Sequence, residues 1–180
     1  EGSLPESATA SSASALAHHV DGGFRNLGGV PGHGRPPPTV TLPFFVRRIA
    51  ASFSRDTRSF PEKIANDGGF LRENALGSVP TVTWVGHSTL LVQMGHTTFL
   101  TDPTWSPTAS PIALGPRRFV EPGLAIDDLP AVDFVVVSHN HYDHMDVATI
   151  GRLWQRFAPR MIVPLGNDTI VRAAVPGLVA

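Results

Sequence analysis

Apolar and polar positions alternate with different periods along this chain. In Phe44–Phe53, Phe45, Ile49 and Phe53 recur every four residues while Arg47 and Arg48 fall off that stripe, the spacing of one amphipathic helix. That helix either docks on a core or faces a membrane or lipid surface. From Val79 the pattern changes: Thr81–Val85, Thr89–Met94 and Thr97–Thr101 are rich in β-branched and aromatic residues and predict three strands. Gly95-His96 suits a two-residue hairpin loop, and Asp102-Pro103 ends the third strand. The Pro- and Ser-containing run to about Pro130 is too long for a turn, so it is a surface loop that shapes a pocket or else a passive connection. Phe134–Val137 is apolar at every position, as in a central strand covered on both faces. Asp146 stands where a helix cap belongs, Val147, Ile150, Trp154 and Phe157 share one face of a helix over 147–157, and Met161–Val163 reads as the next strand. Strand, helix, strand makes a βαβ unit with a right-handed crossover, and ligands gather beyond the carboxyl ends of its strands. A last helix begins near Asp168.

Composition divides the rest. Residues 1–20 hold five Ser and five Ala, and residues 21–43 hold six Gly and five Pro, which is too little side chain to offset ordering. We expect residues 1–40 to be a flexible extension with Phe24 and Leu27 as local anchors, 41–78 a helical and loop lead-in, and 79–180 the principal α/β domain. With 14 basic and 15 acidic residues the net charge is -1, which argues against a nucleic-acid partner held by counterion release. No stretch approaches the roughly 18–20 unbroken apolar residues of a membrane span, although peripheral membrane contact stays open. The chain contains no cysteine, so any metal must be held by nitrogen and oxygen. It opens at Glu1 without a signal-like run, and its compartment is not legible.

The chemistry is concentrated in Ser138–Asp146. Three of the eight histidines and two carboxylates lie within residues 139–146, just past a buried strand. In an extended segment His139, His141 and Asp143 share a side, and a turn into the helix swings His144 towards the same point. Neutral imidazole and carboxylate suit zinc, with iron or manganese as alternatives, and without thiolates a water-holding catalytic site is favoured over a closed structural one. By the same alternation Asn140 and Tyr142 point away, as structural or pocket-lining residues.

The run His139-x-His141-x-Asp143-His144 resembles the signature of the metallo-β-lactamase fold superfamily. The likeness extends through Trp84–Thr89, Phe99–Pro103 and Gly115–Phe119. With His19 and Asp21–Asn26, the pattern is similar to the branch containing N-acyl-phosphatidylethanolamine-hydrolysing phospholipase D, over roughly residues 18–168. The lactonase branch shares the Gly-His-Ser style of entry.

The resemblance implies an αββα sandwich, of which this chain would supply the first αβ half with a mixed sheet. It implies two Zn2+ ions, His139 and His141 binding the first and Asp143 and His144 the second, with Asp143 also handling a proton in catalysis. A metal pair lowers the pKa of water and neutralises charge building on a phosphodiester or carbonyl oxygen. Asp102 would orient a ligand by hydrogen bonding or simply end its strand, and His87 would line the site or serve structurally. Arg117 and Arg118 would meet an anionic phosphate or form a solvated face. The implied activity is that of a zinc-dependent phosphodiesterase of phospholipase D type acting on a lipid-like substrate. The alternative activity is a lactonase or ester hydrolase on a small anionic one. Such families complete the site with a histidine, a bridging aspartate and a last histidine from the second half, whereas no histidine follows His144 here. The chain is therefore expected to be truncated and inactive alone, its missing partner being the C-terminal half of the fold.

Overall fold

The computed structural model describes residues 17–20, 23–25, 36–52, 64, 66–110 and 116–178. Most of the Ser/Ala-rich and Gly/Pro-rich extension, including Leu27, lies outside them. The chain divides into two compact units, residues 1–47 and 48–180. In the first, β1 (His19–Val20) and β2 (Gly23–Phe24) form a short antiparallel pair closed by the Arg25 amide donating to the His18 carbonyl at 2.8 Å. Helix α1 (Pro38–Ser52) begins in this unit and runs into the second. It starts earlier than the apolar stripe suggested, because Pro38 is well suited to a first helical position, where its missing N–H has no partner to lose. Phe45 and Ile49 of that stripe are 58% and 60% exposed, and Phe53 lies outside the described residues.

The second unit is built on a five-stranded sheet in sequence order: β3 (Thr81–Gly86), β4 (Thr89–Met94), β5 (Thr97–Thr101), β6 (Phe134–Val136) and β7 (Arg160–Ile162). The first three run antiparallel through tight turns, and β5, β6 and β7 are parallel, so the sheet is mixed. The hairpin, the βαβ unit and the final helix thus form where the sequence pattern put them. Among the described residues, no helix is long and apolar enough to cross a membrane.

Register sorts the side chains into two unlike faces. Leu91, Leu100, Val135 and Met161 are aligned across the sheet, and all four are buried. They form one core with Ile150 and Leu153 of α3 (Val147–Phe157) and Val171 of α4 (Asn167–Ala174). Each such side chain contributes about 1.5–3 kcal/mol of burial. On the other face Val82, Trp84 and Ile162 are exposed, and Phe99 stacks on Phe134 with centroids 4.7 Å apart. Strand β6 is accordingly not covered on both faces, contrary to its uniformly apolar sequence: Val135 is buried while Phe134 and Val136 are half-buried. An all-apolar run does not reveal which side the helices occupy.

One buried polar side chain fixes each end of the sheet. The short helix α2 (Gly69–Asn74), unresolved by the sequence pattern, is held through buried Gln93. Gln93 Nε2 donates to the Leu71 carbonyl at 2.8 Å, and its Oε1 accepts from Asn74 Nδ2 and Thr81 Oγ1. At the other end, buried Asp146 caps α3 by accepting from the Thr149 amide at 3.2 Å. Its second oxygen accepts from the Trp105 and Ser106 amides, so one side chain ties the helix to the long loop after β5.

Candidate metal centre

The donor-rich segment leaves the carboxyl end of β6, runs without regular structure over residues 137–140 and turns over 141–144. The amides of His144 and Met145 both donate to the His141 carbonyl, at 3.0 and 2.7 Å, and buried Met145 anchors that turn in the core. Convergence therefore owes much to a turn over residues 141–144: the turn expected to bring in His144 is present, but it also takes in His141 and Asp143, which the pleated reading leaves on an extended segment. His139 Nε2 and His141 Nδ1 end 3.0 Å apart, and His144 Nε2 lies 3.7 Å from Asp143 Oδ2. The His139 ring is 4.1 Å from that of His144, centroid to centroid, so the two pairs adjoin.

Asp102 organises the cluster from beneath. It follows β5, whose parallel register with β6 places it beside Ser138, and it sits at φ 39 with 7% exposure. Its Oδ1 accepts from the Ser138 amide at 2.7 Å, and its Oδ2 accepts from Ser138 Oγ at 2.8 Å and His144 Nδ1 at 2.9 Å. Burial opposes the charge on Asp102, but these bonds outweigh it and hold the pKa below the ordinary carboxylate value. The bonds also set tautomers. With Nδ1–H given to Asp102, His144 presents a bare Nε2. The Ser138 hydroxyl proton goes to Asp102, so towards His139 Nδ1, 2.9 Å away, Ser138 only accepts, and His139 presents a bare Nε2 to His141.

Asp143 is fixed on its other side. Its Oδ2 is 3.0 Å from His87 Nε2, and its carbonyl accepts from Thr104 Oγ1 at 3.0 Å. Burial opposes the charge on Asp143, but its backbone hydrogen bond and the His87 and His144 imidazoles outweigh it and hold the pKa below the ordinary carboxylate value. The structure thus brings His87, Asp102, His139, His141, Asp143 and His144 into one cluster. Two donors sharing an ion at about 2.1 Å lie no more than ~4.2 Å apart. Both donor pairs meet that limit, and the donor set of imidazole and carboxylate suits a divalent cation.

The cluster opens on a cavity of about 650 Å³ walled by Trp84, Phe119, Val120 and Tyr142, with His87, His141, Asp143, Arg117, Arg118 and Glu121 among its polar lining. The loop after β5 supplies much of that wall, as the pocket-shaping reading of it required. Arg118 Nη2 donates to the Thr104 carbonyl, while its Nε is buried with no partner among the described residues. Burial pulls the guanidinium pKa below its ordinary value, partly countered by Glu121 and Asp146. Arg117 is exposed, paired in a single antiparallel bridge with Thr108. Asn140 is exposed and away from the cavity, and Tyr142 lines it at 53% exposure. Sequence reasoning missed Ser138 and Thr104, whose contacts to Asp102 and Asp143 span 36 and 39 residues. Only a strand register could have paired them.

Residues 97–177 match the family described as the beta-lactamase superfamily domain. That match spans 81 of the 180 residues, and over it the chain is similar to this superfamily. An uncharacterized protein of Mycobacterium tuberculosis is 45% identical over 93 residues, 51% of this chain and 25% of that protein. The N-acyl-phosphatidylethanolamine-hydrolyzing phospholipase D 1 of Caenorhabditis elegans is 44% identical over 87 residues, 47% of this chain and 24% of that one. A metal-dependent hydrolase of Anaeromyxobacter sp. is 43% identical over 97 residues, 53% of this chain and 31% of that one. The chain thus matches about a quarter of the length of the first two relatives. Within the superfamily segment fall Asp102, His139, His141, Asp143 and His144, whereas His87 precedes it.

Proposed function

We propose that this cluster belongs to the metal centre of a zinc-dependent hydrolase, a phosphodiesterase of phospholipase D type acting on N-acyl phospholipids or a similar lipid-like anion. The observation that carries the reading is the pair of facing donors His139 Nε2 and His141 Nδ1, set by Ser138 and adjoining Asp143 and His144 at the mouth of an apolar cavity. The family of residues 97–177 and the names of the two relatives support it.

In this reading His139 and His141 hold one ion, and Asp143 and His144 a second. Bound zinc lowers the pKa of water to about 7 and neutralises charge on the reacting oxygens. Asp102 keeps His144 in the donor tautomer, and Ser138 does the same for His139. Asp143 would help hold the ion and, with a carboxylate oxygen left over, would serve as the proton acceptor for the chemistry the ion supplies. Trp84, Phe119 and Tyr142 exclude water and receive the apolar part of the substrate, and Arg118 lies within reach of its anionic part. Helix α1, with Phe44, Phe45, Val46 and Ile49 exposed beside Arg47, offers a surface for peripheral contact with a lipid interface.

The test is release of phosphatidic acid from an N-acyl phospholipid by the zinc-loaded, full-length gene product. His139→Ala and Asp143→Ala should each abolish it, and unchanged release would remove those roles. The second reading is a lactonase or ester hydrolase on a small anion, since the metal-dependent hydrolase relative carries no phospholipid in its name. Turnover of lactones with no phospholipid cleavage would select it.

A further inference from the structure

We infer that a second cavity, which shares only Glu121 and Gly123 with the metal-facing one, binds a small zwitterion: an ammonium group joined to a carboxylate or phosphate by a short apolar body. None of its lining residues is a proposed metal donor.

The cavity holds about 620 Å³, within the roughly 300–1,000 Å³ of small-molecule sites. Residues 121–128 form much of its wall, and α3 contributes Arg152. That wall is already fixed. The Gly123 amide donates to the Val85 carbonyl at 2.7 Å, which pins the partition between the two cavities to β3. Buried Leu124 and Ile126 anchor the same stretch in the core, and Trp105 Nε1 donates to the Leu124 carbonyl at 2.8 Å. With its N–H spent in this way, half-buried Trp105 offers the cavity the apolar surface of its ring. Walls set in advance spare a ligand the cost of ordering them.

Charge then selects the ligand. The lining carries three carboxylates, Glu121, Asp127 and Asp128, and one guanidinium, Arg152. Two of the carboxylates are answered from within the fold. Arg156 donates to the Asp127 carbonyl at 2.9 Å and to its Oδ1 at 3.4 Å, while Arg72 donates to the Asp128 carbonyl at 2.8 Å and lies 4.0 Å from its Oδ1. Arg152 stands one turn before Arg156 on the same face of α3, yet it has no hydrogen bond or ion pair among the described residues. Glu121 feels the charge of Arg118, but among the described residues no side chain bonds to it. One negative and one positive group therefore remain for the cavity. A simple anion would leave Glu121 unanswered, and a simple cation would leave Arg152 so, whereas a zwitterion serves both. Arg152 takes the carboxylate or phosphate in its planar fork, and Glu121 takes the ammonium. Asn66, whose Oδ1 already accepts from the Gly68 amide at 2.9 Å, keeps its NH2 to donate to the anionic end.

The experiment is a nuclear magnetic resonance titration of the isotope-labelled whole chain without metal. The Trp105 indole N–H is followed as L-phenylalanine and, separately, phosphoethanolamine is added. A saturable shift is expected with at least one of them: with L-phenylalanine alone the anionic end is a carboxylate, with phosphoethanolamine alone a phosphate, and with both the site accepts either. Analogues with a single charge, phenylpropionate and phenethylamine or inorganic phosphate and ethanolamine, should bind at least tenfold more weakly, the loss expected for one charge-assisted hydrogen bond. Glu121→Gln and Arg152→Gln should each weaken the zwitterion at least tenfold; both side chains are exposed, and circular dichroism checks that the variants fold. No saturable shift with either zwitterion, equal affinity for the single-charge analogues, or parent affinity in either variant would overturn the inference.

Discussion

Replacing Asp102 by Asn tests whether one buried carboxylate governs the cluster. The substitution keeps shape and removes charge, and its amide cannot satisfy all three donors now served. If the amide nitrogen turns towards His144, that imidazole must accept at Nδ1, which moves its hydrogen to Nε2 and blocks the metal-facing position. If the amide turns the other way, the Ser138 N–H, 2.7 Å from Asp102 Oδ1, faces a second donor. In the second orientation one buried donor is orphaned at about 1–3 kcal/mol; in both, the remaining bonds lose charge assistance, so the total loss is about 1–4 kcal/mol. The same misorientation should weaken metal binding about 10–100-fold. Urea unfolding should show a lower midpoint with unchanged slope, and cobalt titration should show the weaker site. Stability within about 0.5 kcal/mol of the parent, together with unchanged affinity, would refute the argument.

Acid sensitivity follows from the same group. Because the folded pKa of Asp102 lies below its ordinary value of 3.8, its contribution is fully present above that value and is lost as pH falls through the folded one; Asp102→Asn should flatten this part of the acid unfolding curve. Asp146→Ala should cost about 3 kcal/mol, since it removes the cap on α3 and orphans the Ser106 amide, while the Trp105 amide keeps Thr149 Oγ1 at 3.0 Å; thermal unfolding measures this. Gly86→Ala should destabilise by about 1–3 kcal/mol, because alanine is strained at φ 146 and its methyl would meet Arg118 Nη1 at 3.0 Å. A neutral result in the same assay would mean that this turn relaxes.

What the sequence made legible is what local chemistry determines. The three strands over 81–101 and the capped helix over 147–157 rest on contacts close in sequence, and each sits where the pattern placed it. What stayed illegible depends on register and distant packing. Helix α2 has six residues and no period to detect, and it exists because Gln93, 22 residues from Leu71, holds its carbonyl. Asp102 and His87 were visible as polar residues near strand ends, but their contacts to His144 and Asp143 cross 42 and 56 positions. The half-open state of Phe134 and Val136 follows from which face the helices chose, a choice that an all-apolar run leaves unmarked.

Asp146 lies two residues beyond His144, so the last donor and the first turn of α3 share one short stretch of backbone. Any opening that frays that turn also scatters the donors, and any ion holding the donors resists the opening. At an ion concentration 100 times its dissociation constant, mass action adds about 2.7 kcal/mol against such an opening. The amide protons of Thr149 and Ile150, bonded to the Asp146 side chain and carbonyl, should then exchange with deuterium roughly a hundredfold more slowly. The helix start is thereby a built-in gauge of occupancy, readable without a substrate.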